Sequence, residues 1–323
     1  MFKQRSCFRL VIVGLTAISL SGCTFFDELG AVRMFKDANT AYARGFYEEA
    51  IELYEDILVV IDAGGESDLA RNLTPAYFYI ANSYDSLFQP GGTDAANIHN
   101  LDEAIRYYEL AIEEIPDPAM RLLSMQYLVA AFGPDKANDP SRTEPLLRDM
   151  ILSDPENPDN YFRLAQLYEE AGLFDDAEFI YQTVQEFRRD DPVVYLQLAG
   201  FYNRAGEFDL TIEALEERAR QDPDNPEAYY TISTFFWEKA FRDFRITVDQ
   251  KRDYVLAGLE ASDRALALND RYVDALIYKN ILLRMQANDT EDLDLQTELI
   301  AEADDLRSMA ERIQQEQRAA AGA

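Results

Sequence analysis

Tyr161-Phe-Arg-Leu-Ala-Gln-Leu-Tyr168 is followed 34 residues later by Tyr195-Leu-Gln-Leu-Ala-Gly-Phe-Tyr202, and after the same step by Tyr229-Tyr-Thr-Ile-Ser-Thr-Phe-Phe236. Four positions keep their chemistry across the three segments. They are Tyr161/Tyr195/Tyr229, Leu164/Leu198/Ile232, Ala165/Ala199/Ser233 and Tyr168/Tyr202/Phe236. Within each segment they fall at i, i+3, i+4 and i+7, one face of a helix. Gly172 and Gly206 keep the same step, where a left-handed helix end favours glycine. Leu173-Phe-Asp-Asp-Ala177 then opens a second helix with Phe174, Ala177, Tyr181 and Val184 turned inward. Asp-Asp-Pro192 closes the unit, because proline suits the first turn of the next helix and not a helix interior. A 34-residue step with this pattern is the signature of a helix–turn–helix solenoid unit. One such pair buries too little surface alone, so neighbours must stack.

On these residues the chain resembles the tetratricopeptide repeat (TPR) family. The resemblance implies an all-α, right-handed α-solenoid of about six to seven TPR-like repeats with a C-terminal capping helix. Repeat one spans about Val32 to Ala63, with Ala38, Gly45, Tyr47, Ala50 and Tyr54 in register. Repeat two carries Tyr77, Ile80, Ala81 and Tyr84 on its first helix, and its second is expected from Leu101 to Ile115. An insertion at about 88–100 holds Gln-Pro-Gly-Gly and the sole histidine, His99. Repeat three, about Asp117 to Pro155, is degenerate, with Thr143 at the alanine position and Pro145 in its second helix. Repeats four and five are the regular ones. Repeat six has a second insertion, about 241–252, before a helix expected from Asp253 to Leu268. Repeat seven departs from the motif at Lys279 and Asn280. A last helix, with Leu295, Leu299, Ala303, Leu306, Ala310 and Ile313 on one face and charges on the other, caps the array to residue 318. Residues 319–323 are expected to fray.

The first 22 residues read as a targeting segment. Lys3, Arg5 and Arg9 precede a short apolar run, Leu10 to Leu20, below the roughly 18–20 residues that span a bilayer. Leu20-Ser-Gly-Cys23 resembles the lipobox of bacterial lipoproteins. That resemblance implies cleavage before Cys23 and acylation of Cys23, palmitate included. An ordinary secretory signal cut nearby is the alternative. Residues 23–31 would then be a lipidated tether and 32–318 the solenoid. Thr24, not Asp, follows the cysteine, which in Gram-negative lipoproteins implies the outer membrane, facing the periplasm. Cys7 and Cys23 are the only cysteines. Once the leader is removed and Cys23 acylated, no thiol remains for a disulfide, a nucleophile or a metal.

The sequence holds 30 Lys+Arg against 60 Asp+Glu, a net charge of −30. Nucleic-acid binding is excluded as a function class, since phosphate contacts need a basic face. Partners with basic segments are favoured.

In TPR arrays the first helices line a concave groove that binds partners. Counting outward positions of those helices gives Phe35, Asn39, Tyr42, Phe78, Asn82, Asp85, Phe162, Gln166, Glu169, Leu196, Asn203, Tyr230, Thr234 and Trp237. Aromatic anchors with asparagines suit an extended peptide or a partner helix. Phe35, Phe78 and Leu196 could equally pack between repeats. Some TPR proteins grip a C-terminal carboxylate with groove cations, but Gln, Glu and Asp stand in this groove. Arg242, Arg245, Lys251 and Arg252 cluster around Phe241 and Phe244, to dock an acidic partner or to neutralise nearby acidic helices. Asn288-Asp-Thr-Glu-Asp-Leu-Asp294 is similar to a calcium loop, but Leu293 replaces the turn glycine and Leu299 the final Glu. No metal or cofactor is therefore expected. Acidic pairs such as Glu169/Glu170 and Asp175/Asp176 read as solvated faces and caps.

These features imply a membrane-anchored, non-catalytic interaction scaffold. Two families of TPR lipoprotein share the lipobox and the repeat class. One is the assembly lipoprotein of the outer-membrane β-barrel machine, the other the pilotin of a type IV pilus secretin. A self-associating structural subunit and a cell-wall hydrolase are the readings from other classes.

Overall fold

The computed structural model describes residues 30–65 and 67–321. Cys23, the signal segment and most of the expected tether lie outside the described residues. The described residues contain fifteen helices and no strand. Seven antiparallel pairs account for fourteen of them. The chain divides into two compact units, Met1–Asn160 and Tyr161–Ala323.

The first unit holds three pairs. Helix α1 covers 30–43 and pairs with α2 (Tyr47–Gly64); a short α3 (Asp68–Leu73), absent from the repeat pattern, follows. Next come α4 (Pro75–Leu87) with α5 (Ala95–Glu114), and α6 (Pro118–Ala131) with α7 (Pro140–Ser153). Helix α4 is central, packed by α2, α5 and α6. Seven of its thirteen residues are buried for that reason. Tyr54, Ile57, Ile80, Tyr108 and Ile115 form the middle of this core.

Helix α8 (Pro158–Glu170) straddles the division; its partner α9 (Phe174–Phe187) lies in the second unit. The second unit continues with α10 (Pro192–Ala205) and α11 (Phe208–Gln221), α12 (Pro226–Arg242) and α13 (Val248–Leu268), and α14 (Val273–Asp289) and α15 (Leu293–Ala321). Helices α10, α12 and α14 each pack on their own second helix and on the second helix that precedes them, and α12 also meets α14.

Local chemistry fixes the starts and stops. Asp117, Asp139, Asp191 and Asn225 each accept a backbone N–H of the helix they precede, while the proline after each takes the first helical position. Gly172 and Gly206 end α8 and α10 at φ 74° and 82°, a left-handed conformation that disfavours a side chain.

Both insertions differ from expectation. Each is partly helical, with 95–100 joining α5, and 241–242 and 248–252 belonging to α12 and α13. Helix α5 starts at Ala95, not Leu101, because Asp94 caps it and Asn97 ties down the preceding turn. Asn97 Oδ1 accepts from Gln89 N at 2.7 Å, and its Nδ2 donates to Gln89 O and Gly92 O, each at 2.9 Å. His99 therefore stands exposed on a helix, not in a loop. Helix α12 runs to Arg242 and α13 begins at Val248, where Thr247 and Gln250 form a capping box. Only a short turn, 243–247, separates them. At the C-terminus α15 runs to Ala321, past the expected end at 318.

Candidate functional site

Ala50/Tyr54, Ala104/Tyr108 and Ala177/Tyr181 are i, i+4 pairs on second helices, and all six residues are fully buried. Each tyrosine hydroxyl meets a polar side chain of its partner first helix. Tyr54 donates to Asn39 Oδ1 at 2.5 Å. Asn82 Nδ2 donates to the Tyr108 hydroxyl at 3.1 Å. Tyr181 donates to Glu169 Oε1 at 2.8 Å. Burial holds all three phenols above their ordinary pKa. Asn82, expected in the groove, is thus engaged at both its Oδ1 and its Nδ2, and the half-buried Asn39 at its Oδ1. The repeat pattern gave the tyrosines as apolar core; their hydroxyl partners follow only from the pairing of the helices.

In the first unit, Phe35 sits edge-on to Tyr54 and Tyr79, with centroids 5.8 and 6.5 Å away. Tyr42 packs on Tyr79 and donates to Asn82 Oδ1 at 2.7 Å. Phe78, expected to face outward, is buried between Tyr79, Tyr108 and Tyr127. It is core because α4 is covered on three sides. Asp85 is paired with Lys136.

In the second unit, Phe162 is likewise buried, 6.0 Å from Tyr181, and not outward. Gln166, Leu196 and Asn203 are exposed. Glu169 receives a fork from Arg204, Nε at 2.7 Å and Nη2 at 2.9 Å. Tyr230, Thr234 and Trp237 are half-buried on one face of α12. The Thr234 hydroxyl bonds back to Thr231 O at 2.7 Å.

The expected positions come together best on α12. Tyr230 lies 5.3 Å from Tyr272 and 5.4 Å from Tyr278. Trp237 meets the same Tyr278 ring edge-on at 5.3 Å and stacks on Phe241 at 5.5 Å. The result is a continuous aromatic strip across α12 and α14, partly open to water. Tyr278 was missed because repeat seven departs from the motif there, and it lies one place off the Tyr230 register. Burial, then the neighbouring Tyr278, Asp274, Tyr272 and Glu227, push the Tyr230 phenol up to about 12. The Tyr230 hydroxyl therefore stays neutral near pH 7, and a cationic side chain stacked on such aromatic faces is stabilised.

Beside this strip the cations are all paired nearby. Arg242 meets Glu238 at 2.8 Å, Arg245 meets Asp243 at 2.9 Å, Lys251 meets Asp289 at 3.0 Å and Arg252 meets Asp249 at 3.2 Å. Asp139, Glu217, Asp243 and Asp304 are held below the usual carboxylate range, in each case chiefly by hydrogen bonds received from neighbouring side chains. A general acid needs the opposite displacement. In the calcium-like segment, Asp292 Oδ1 caps α15 through the N–H of Asp294 at 3.0 Å and Leu295 at 3.2 Å. Among the described residues no group of three His, Cys, Asp or Glu side chains is placed to hold a metal ion.

Residues 136–199 and 192–233 each match the tetratricopeptide repeat family. Residues 136–233 carry tetratricopeptide repeats. The matches run from α7 into the first half of α12, the part where the 34-residue step is most regular. No curated protein matches the sequence. Among solved structures, the C-terminal part of a TPR repeat-containing protein from Cytophaga hutchinsonii is similar at 16% identity. The likeness covers 84% of this chain and 95% of that one, with a TM-score of 0.52. MamA from Desulfovibrio magneticus RS-1 is similar at 11% identity over 61% of this chain and 96% of that one, TM-score 0.41. Another MamA structure gives 13% identity over 61% and 93%, TM-score 0.42. Likeness at these identities is one of fold. The packing of α12, α13 and α14 sets which side chains reach the α12–α14 face.

Proposed function

We propose that this protein is a non-catalytic interaction scaffold, anchored to a bacterial envelope membrane through an acylated Cys23, and that its TPR first helices bind a segment of a partner protein. The observation that carries the binding role is the aromatic strip Tyr230–Tyr278–Trp237–Phe241 on α12 and α14. Rings of this kind supply large contact area with few rotatable bonds, so ordering them on binding costs little. The net charge of −30 favours a partner segment with basic residues. The lipobox Leu20-Ser-Gly-Cys23 supports the anchor and an outer-membrane location; among the described residues no helix is long and apolar enough to cross a membrane. An envelope-assembly role of the pilotin or β-barrel-assembly kind fits the same features.

Two measurements test this. Labelled palmitate fed to the expressing cells should enter the full chain and be lost in Cys23→Ser. Affinity capture from detergent-solubilised envelope should recover a defined partner with the wild type. The Tyr230→Ala, Trp237→Ala double variant should lose that partner while keeping its helical circular dichroism. Equal capture by both forms would place binding off the strip. Concentration-dependent self-association with no capture would favour the structural subunit.

A further inference from the structure

A second surface lies at the turn between α12 and α13. Phe208, Phe235 and Phe244 wall an open hollow of about 410 Å³, and Lys239, Arg242 and Arg245 stand along it. Phe244 is 94% exposed, and nothing in the fold covers it. Phe241 and Val248 on either side are also exposed. The turn itself is firmly held. Asp243, only 13% exposed, receives Lys239 Nζ at 2.9 Å, Arg245 N at 3.1 Å, and Arg245 Nε and Nη2 at 2.9 and 3.0 Å. A fully exposed phenylalanine on a locked turn is preorganised for contact, since little freedom is left to lose on binding.

The charge around the hollow is opposite to that of the chain. Three cations line it against two carboxylates, Glu238 and Asp243, in a molecule of net charge −30. Arg242 uses Nη1 on Glu238, and Arg245 uses Nε and Nη2 on Asp243. Both side chains remain mostly exposed, and a guanidinium has five N–H donors. Each arginine keeps donors for a carboxylate from outside. The rest of this acidic surface repels such a group.

We infer that the hollow at the α12–α13 turn is a docking site for a partner segment that presents a bulky apolar side chain flanked by carboxylates. The apolar side chain enters between Phe208, Phe235 and Phe244, and the carboxylates meet Arg242 and Arg245. The residues lining this hollow include none of the α12–α14 strip, which adjoins it at Phe241, and the hollow selects the opposite charge, so either site stands if the other fails.

The test is selection of a displayed library of randomised peptides against the full chain, followed by titration of the resynthesised peptides. Enriched sequences should place Asp or Glu beside Phe, Leu or Trp. Their affinity should fall at least about tenfold in Phe244→Ser, Arg245→Glu, as loss of an anchor and a charge contact predicts. Both substituted side chains are exposed, so helical content should not change. Because Arg245→Glu also breaks bonds that hold the turn on Asp243, Phe244→Ser alone, which leaves them in place, should show the affinity loss as well. The Tyr230→Ala, Trp237→Ala variant should bind these peptides as the wild type does. Enrichment of basic peptides, no enrichment, or affinity indifferent to the Phe244 and Arg245 changes would each overturn the proposal. So would dimerisation of the wild type abolished by Phe244→Ser, which would make a second copy the occupant. Phe244-dependent capture by anionic phosphatidylglycerol vesicles that no acidic peptide competes would overturn it too.

Discussion

Asn82 Nδ2 donates to the buried hydroxyl of Tyr108 at 3.1 Å, and the same amide accepts from Tyr42 at 2.7 Å. One side chain thus links α1, α4 and α5 through groups shielded from water. Tyr108→Phe keeps the ring and removes the acceptor. It should destabilise the first unit by about 1–3 kcal/mol, the typical consequence of stranding a buried donor. Urea denaturation followed by circular dichroism measures this. A midpoint unchanged from wild type would mean that water reaches Asn82.

The buried phenols give the protein an alkaline limit. Tyr54, Tyr108 and Tyr181 have folded-state pKa values above the ordinary 10.0, because burial penalises the phenolate. As pH rises past 10.0 the unfolded chain releases these protons first, so the unfolded state is favoured. Their stabilisation is complete below that pH and is lost progressively above it. Thermal midpoints should be level, so far as these groups matter, up to about pH 9 and then fall. Tyrosinate absorbance from these three rings should appear only with unfolding. Full titration of all tyrosines near pH 10 with native circular dichroism retained would contradict the buried environment.

Lys279 stands at the register of Leu164, Leu198 and Ile232, yet it is well accommodated. Its Nζ lies 2.8 Å from Asp263 on α13 and 2.7 Å from Glu302 on α15. Burial pushes the ammonium pKa down, but the bonds to the two carboxylates outweigh it and leave the pKa raised. Lys279→Ala should cost about 1–2 kcal/mol through lost packing and pairing. Lys279→Leu restores the apolar register and should fall within about 1 kcal/mol of the wild type, because half-exposed carboxylates can turn to water. If leucine proves as harmful as alanine, the ion pairs matter more than the filled space.

Two mid-helix glycines should respond in opposite directions to alanine. A Cβ at Gly258 would lie 3.0 Å from Leu282 Cδ1 and 3.3 Å from Phe236 Cβ, both packed within the second unit. Overpacking there should outweigh helix propensity and destabilise by about 1 kcal/mol or more. At Gly200 the close atom is the flexible Arg204 Nη1 at 3.1 Å. Gly200→Ala should stabilise by roughly 0.5–1 kcal/mol. Equal effects in thermal denaturation would show that the α12–α13–α14 packing yields.

The sequence by itself determined the repeat. The 34-residue step, the i, i+3, i+4, i+7 faces and the Asp-Pro and Gly punctuation are local features, readable wherever side-chain spacing sets which face of a helix is apolar. They located the helix pairs and placed Tyr230 and Trp237 on an accessible face. Tertiary structure decided what local spacing cannot express. Phe78 and Phe162 hold outward positions in a single pair, but neighbouring helices cover them. Nothing in the sequence pairs Asn39 with Tyr54, or Asn82 with Tyr42 and Tyr108; the packing of the helices does. Parts of the insertions joined α5 and α13 because Asp94, Asn97 and the Thr247–Gln250 box satisfy backbone groups there. Tyr278 joined the strip, and Phe244 was left beside an open hollow, only through the stacking of one pair on the next. Burial and partnership depend on which helix stands opposite, and a stacked array sets that through contacts between repeats.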